Sequence, residues 1–160
     1  MENIHVVFGF DPGKQGGMTV CLDSRPENMV AYNLEDLSST LEALQEYKDY
    51  RRIIVLEDPP PYAGKNIPSS AGYKLGLSVG QIEGLARGLF IRCEKIAPKI
   101  WQNGLTGLTG KSGSERKKVL KDHASRLYPH LRPTLKTADA ILLTHFFIKS
   151  NPQHGGVHHG

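Results

Sequence analysis

The stretch Val6-Val7-Phe8-Gly9-Phe10-Asp11-Pro12-Gly13-Lys14-Gln15-Gly16-Gly17-Met18-Thr19-Val20-Cys21-Leu22 decides the architecture. Two β-prone runs, 6–10 and 18–22, flank a segment of proline, glycine and polar residues, the composition of a tight connection between neighbouring strands. A third run, 29–33, follows another polar break. The chain therefore begins as a meander of three strands, with an acid, Asp11, at the end of the first.

Further along, strands alternate with helices. Leu37, Leu41, Leu44 and Tyr47 recur at helical spacing and predict an amphipathic helix over 35–48. Ile53-Ile54-Val55-Leu56 is an unbroken apolar run, as expected of a strand covered on both faces. It ends in Glu57-Asp58 and three prolines, Pro59, Pro60 and Pro61, which cannot continue a ladder. Leu75, Val79, Ile82, Leu85, Ala86 and Leu89 predict a long helix over 69–90. Its glycines, Gly72, Gly76, Gly80, Gly84 and Gly88, recur at every fourth position. Each interior glycine costs a helix about 1 kcal/mol relative to alanine, so the stripe implies that another backbone approaches that face. Packing on the sheet is the favoured reading, and a subunit or DNA contact the alternative.

A fifth strand is predicted over 91–96 and a short helix from Pro98, a residue suited to a first turn. A basic, glycine-rich loop follows over 104–113, then a helix over 114–127 with Val119, Leu120, Ala124 and Leu127 inward. Thr137 is a candidate cap for a last helix whose stripe is Ala138, Ile141, Leu142, His145 and Phe146. The order βββ-α-β-α-β-α-α predicts an α/β fold: a five-stranded mixed sheet with helices on both faces. Residues 1–150 are expected to form one domain, and 151–160, rich in glycine and histidine, a flexible tail.

The 160 residues, 39% of them apolar, suffice for one sizeable core. No apolar run is long enough to cross a bilayer and the N-terminus lacks a signal-peptide pattern, so the expectation is a soluble, intracellular, cytoplasmic protein with no membrane partner. Cys21 and Cys93, far apart in apolar segments, suggest reduced core residues. The net charge is +4. Between Lys95 and Lys136 the only acids are Glu115 and Asp122, set against Lys95, Lys99, Lys111, Arg116, Lys117, Lys118, Lys121, Arg126, Arg132 and Lys136. This points to a phosphate-facing surface, with a merely solvated face as the competing reading.

The chemistry rests on three acids. If the first and fourth strands lie side by side and parallel, a spacing of about 4.8 Å brings Asp11 and Glu57 to one sheet edge, where they can share a metal. Asp139, in the first turn of the last helix, can join them, since the helix dipole favours an ionised carboxylate there. Three hard oxygen donors without a thiolate suit Mg²⁺, or Mn²⁺ as a substitute, rather than zinc. Singly, each acid has an ordinary explanation: a turn residue, a partner for Lys65 or Lys74, a helix cap. Their combination is harder to explain that way.

The segments Val7-Phe-Gly-Phe-Asp-Pro-Gly13 with Gly16-Gly17, Ile54-Val-Leu-Glu57, and Ala138-Asp-Ala-Ile-Leu-Leu-Thr-His145 resemble the catalytic segments of RuvC-type Holliday-junction resolvases, of the ribonuclease-H-like superfamily. They stand in the same order and cover the chain from about residue 6 to 147. Ser69-Ser70, Lys74-Leu-Gly-Leu-Ser-Val-Gly80 and Ile96-Ala-Pro-Lys-Ile-Trp101 resemble divergent, phage- or virus-borne relatives. The resemblance implies a ribonuclease-H-like fold and a homodimer that binds a four-way junction. It further implies symmetric nicks leaving 5′-phosphates, with two divalent ions held by Asp11, Glu57 and Asp139. It also marks a departure. One turn before the last aspartate, where the family carries another acid or a histidine, stands Lys136. Asp58, Asp122 or His145 then compensates, the second metal is held by substrate and water, Lys136 itself holds the scissile phosphate, or activity is lost.

Tyr62 and Tyr73 flank the loop where relatives place an aromatic wedge, and Lys14, Lys65, Lys74, Lys111, Arg116, Lys117 and Lys118 are the candidate DNA contacts. Gly110-Lys111-Ser112 is not a nucleotide-binding P-loop, because Leu105 stands where that motif needs glycine. His154, His158 and His159 lack a framework to hold a metal. The rival readings are a less selective nuclease on flaps, forks or RNA, and a branched-DNA-binding protein that no longer cuts.

Overall fold

The computed structural model describes residues 5–60 and 68–152. The predicted meander forms: β1 (His5–Asp11) pairs antiparallel with β2 (Gly17–Leu22), which pairs antiparallel with β3 (Met29–Asn33). On its other side β1 pairs in parallel with β4 (Arg51–Glu57), and β4 with β5 (Arg92–Ile96), giving one five-stranded mixed sheet in the order β3-β2-β1-β4-β5. The β1–β2 connection turns at Gly13, whose φ of +114° suits glycine, and closes with the Gly16 N–H donating to the Gly13 carbonyl at 3.0 Å.

The helices are α1 (Leu37–Glu46), α2 (Ser69–Gly88), the short α3 (Pro98–Trp101), α4 (Gly113–Leu127) and α5 (Ala138–Ser150). Helix α1 starts later than predicted because Asp36 is extended and caps it, accepting from the Ser39 N–H at 2.7 Å. Strand alternation sorts the core into two halves. Val6, Phe8, Phe10, Ile54 and Leu56 pack with Leu44 of α1 and Val79, Ile82 and Ala86 of α2. Val7, Ile53 and Val55 pack on the opposite face with Trp101, with Leu120 and Ala124 of α4, and with Ile141, Leu142 and Phe147 of α5. Helices thus cover both faces, as the sequence predicts. Cys21 and Cys93 are free thiols, Cys21 buried and Cys93 half-buried. Among the described residues no helix is long and apolar enough to cross a membrane.

Two features position the site. Helix α5 lies so close to the sheet that a Cβ on Gly9 would collide with the Thr144 and Thr19 hydroxyls and come within 3.2 Å of the Ala140 carbonyl. A Cβ on Gly17 would stand 2.8 Å from Thr137 Cα. The approach is fastened by a hydrogen bond of 2.6 Å between the fully buried hydroxyls of Thr19 and Thr144. Thr137 precedes α5, but its hydroxyl does not cap the helix; it accepts from the Thr134 N–H at 3.0 Å.

The glycine stripe of α2 corrects its favoured reading. A Cβ added at Gly76, Gly80, Gly84 or Gly88 would meet nothing within 4 Å among the described residues, so these glycines do not mark close packing on the sheet. The helix instead seats Val79, Ile82 and Ala86 on the core and leaves Tyr73 and Leu77 exposed. The tail expected to be flexible lies almost wholly outside the described residues, at 153–160.

Candidate metal centre

Alternation along the strands aims two acids at α5. Asp11 shares the parity of Val7 and Gly9, and Glu57 that of Ile53 and Val55, so both side chains leave the sheet on the α5 face. The parallel register pairs Phe10 with Leu56, one residue short of the two carboxylates, so the acids leave adjacent strand ends together. Asp139, in the first turn of α5, meets them from above. Carboxylate oxygens of Asp11, Glu57 and Asp139 lie within 4.8 Å of one another. The three acids converge in space, as their places at two strand ends and a helix start predict.

The cluster is set in the protein's interior. Asp11 is 6% exposed and Asp139 5%. Burial, and then repulsion from Asp139 and Glu57, holds the Asp11 carboxyl well above the ordinary aspartate range despite a nearby lysine. Burial and the charge of Asp139 raise Glu57 to about 7. One of its oxygens, Oε2, accepts from the indole N–H of Trp101 at 2.9 Å. Asp139 Oδ1 is buried without a hydrogen-bond partner among the described residues. An orphaned carboxylate oxygen beside two further acids is an unmet demand for a cation. The donor set, all hard oxygen, fits Mg²⁺ or Mn²⁺, with Asp11, Glu57 and Asp139 as the residues that would hold it.

Among the described residues one cation from the chain itself reaches this cluster. Lys117 Nζ donates to Asp139 Oδ2 at 2.9 Å and lies 3.5 Å from Asp11 Oδ2. Burial alone opposes its charge, but Asp11 and Asp139 outweigh burial and hold the ammonium above the ordinary lysine value. The sequence singled out Lys117 only as one of several phosphate contacts, and Lys136 as the lysine of the site. In the structure Lys136 is half-buried in the turn before α5, and the ion pairs to Asp11 and Asp139 come from Lys117.

The proposed substitutes for a fourth acid are also elsewhere. Asp58 faces Lys95 at 3.7 Å, Asp122 is exposed on α4, and His145 Nδ1 is hydrogen-bonded to the Tyr128 hydroxyl at 2.5 Å. The residues that sequence reasoning underweighted had a legible signal. Lys117 precedes Leu120 by three positions and Ala124 by seven, on the buried stripe of α4, and Trp101 is the chain's one tryptophan.

Around the centre, Lys14 and Lys74 line one groove of about 260 Å³. Arg116, Gln102 and Lys99 line a cleft of about 510 Å³ beside Asp58, Pro59 and Pro60, just past the strand end that carries Glu57. Arg116 is braced there, donating to the Gln102 side chain and to the Leu108 carbonyl. Lys111 and Lys118 are exposed, and Tyr73 is 72% exposed. Tyr62 and Lys65 lie outside the described residues.

No protein-family model matches this chain, and no curated protein matches it. Solved structures do. The chain is similar to Thermus thermophilus RuvC, at 18% identity and a TM-score of 0.54, covering 91% of this chain and 96% of that one. The T. thermophilus RuvC in complex with Holliday junction substrate gives the same TM-score of 0.54 and the same coverage, 91% and 96%, at 16% identity. The fold is therefore that of the RuvC-type, ribonuclease-H-like structures.

Proposed function

We propose that this chain is a structure-selective, metal-dependent DNA endonuclease that resolves four-way junctions. The observation that carries the proposal is the convergence of Asp11, Glu57 and Asp139 at one point of a RuvC-type fold, with Oδ1 of Asp139 buried and without a partner among the described residues. In this reading water attacks a phosphodiester phosphorus, the bond to the 3′ oxygen breaks, and that oxygen leaves as a hydroxyl while the 5′ side keeps the phosphate. Asp11, Glu57 and Asp139 would hold a divalent ion such as Mg²⁺, which would supply Lewis acidity to the phosphate and to the attacking water. Trp101 fixes the orientation of Glu57 through its indole N–H, the role typical of groups behind metal ligands.

The neighbouring basic side chains suit a phosphate backbone. Lys14 and Lys74 serve one groove, Arg116 the other, Lys111 stands in the loop before α4 and Lys118 within that helix. Tyr73 presents an exposed ring for stacking on an opened base. A symmetric four-way junction calls for two copies of the site related by a two-fold axis, so the working unit is a homodimer. The open glycine face of α2 permits close approach by a second copy.

The test is cleavage of a labelled four-way junction against linear duplex with Mg²⁺, Mn²⁺ or EDTA, comparing the native chain with Asp11→Asn. Paired symmetric nicks that need metal and disappear in the variant are expected. Equal cutting of all substrates would replace the proposal with a general nuclease, and junction binding without cuts would replace it with a branched-DNA-binding protein.

A further inference from the structure

Given the metal-site reading above, the structure assigns Lys117 the place of a second cation, so that each chain takes one divalent ion rather than two. The oxygens divide accordingly. Lys117 Nζ takes Oδ2 of Asp139 at 2.9 Å and approaches Oδ2 of Asp11 at 3.5 Å. Trp101 takes Oε2 of Glu57 at 2.9 Å. What remains for an ion includes Oδ1 of Asp139, buried and without a partner among the described residues. The lysine and the ion therefore use different oxygens of Asp139 and do not compete for the same one.

The charges divide the same way. With a metal bound in place of their protons the three carboxylates carry three negative charges; the ammonium of Lys117 balances one, and one divalent ion balances the other two. A second divalent ion would leave two positive charges uncompensated in a buried site, where unpaired charge is costly. The ligand such an ion would need is also elsewhere: Lys136 stands one turn before Asp139, Asp58 faces Lys95, and Asp122 is exposed.

Lys117 is held in this place by its helix. Leu120 and Ala124 seat α4 in the core beside α5, Arg116 ties its first turn to the Leu108 carbonyl, and His123 bonds the Thr106 carbonyl at 2.8 Å. The Lys117 side chain is partly exposed, and its ammonium is paired with both Asp139 and Asp11.

The test is the number of Mn²⁺ ions bound per chain, measured by calorimetric titration and by the loss of the free-ion paramagnetic resonance signal. It needs no DNA and no cleavage. The native chain is expected to saturate at one ion. Lys117→Met, which keeps the aliphatic stem but removes the charge, is expected to admit a second ion, and Lys117→Arg to stay at one. Two ions on the native chain, or a single ion on a folded Lys117→Met, would overturn the inference while leaving the metal site intact. If the native chain binds no Mn²⁺, the metal-site reading falls and this inference with it. The native stoichiometry decides the matter even if Lys117→Met does not fold.

Discussion

Helices α5 and α2 cover opposite faces of one sheet, and glycine sits at both, but on opposite partners. Under α5 the glycines belong to the strands. Gly9 and Gly17 lack the Cβ atoms that would strike Thr144, Ala140 and Thr137, so the helix settles close enough for Asp139 to meet Asp11 and Glu57. On α2 they belong to the helix, and among the described residues nothing within 4 Å uses the room left at Gly76, Gly80, Gly84 and Gly88. A glycine marks close approach only where a second backbone arrives to exploit it. The first set builds the site; the second weakens its own helix without a packing return among the described residues.

The largest effect is expected at Gly9. Gly9→Ala is expected to destabilise the protein by about 1–3 kcal/mol or more, because its Cβ meets helix backbone and two locked hydroxyls, and to weaken Mn²⁺ binding as Asp139 is displaced. Chemical denaturation and metal titration of one variant measure both. Wild-type stability in Gly9→Ala would mean that α5 is not held as described.

A pH effect should be confined to the α5 face. Glu57, at about 7, and Asp11, also raised, bind protons more tightly folded than unfolded. The folded state therefore holds more protons above the unfolded values, and stability is lost as pH rises from the ordinary carboxylate range through about 7. Saturating Mg²⁺ should oppose that loss, since ions bind the deprotonated acids. Melting temperatures from pH 5 to 8 with and without Mg²⁺ check this, and Glu57→Gln should flatten the metal-free profile. A metal-free profile equally steep in Glu57→Gln would place the titration elsewhere.

Smaller effects test the fastening. Thr144→Val leaves the Thr19 hydroxyl buried without its partner and should cost about 1–3 kcal/mol. Adding Thr19→Val should cost less than the sum of the single changes, as expected for groups in contact. The smallest change has the opposite sign: Gly80→Ala should stabilise an isolated chain by up to about 1 kcal/mol. If it instead weakens self-association in sedimentation, the proposed homodimer uses this open face.

The fold was legible because its signals are local. The Pro-Gly turn after Asp11, the apolar run ending at Glu57 and the stripe of α5 each specify an element, and parallel pairing of β1 with β4 brings the acids together. Asp139 was legible for the same reason, being in a helix's first turn. Lys117 was harder to read because its neighbours in sequence, Arg116 and Lys118, carry the same charge and only helix rotation singles it out. The α2 glycines were misread because their spacing is a property of the helix, while the backbone they were thought to meet is a property of the whole fold.

The chain contains one tryptophan, Trp101, and its indole donates to Glu57. Its ultraviolet emission therefore originates from a single ring joined to a proposed metal ligand, against a background of tyrosine alone. The protein carries its own optical probe, and a paramagnetic ion seated beside Glu57 would register as quenching of that one fluorophore, with no label attached.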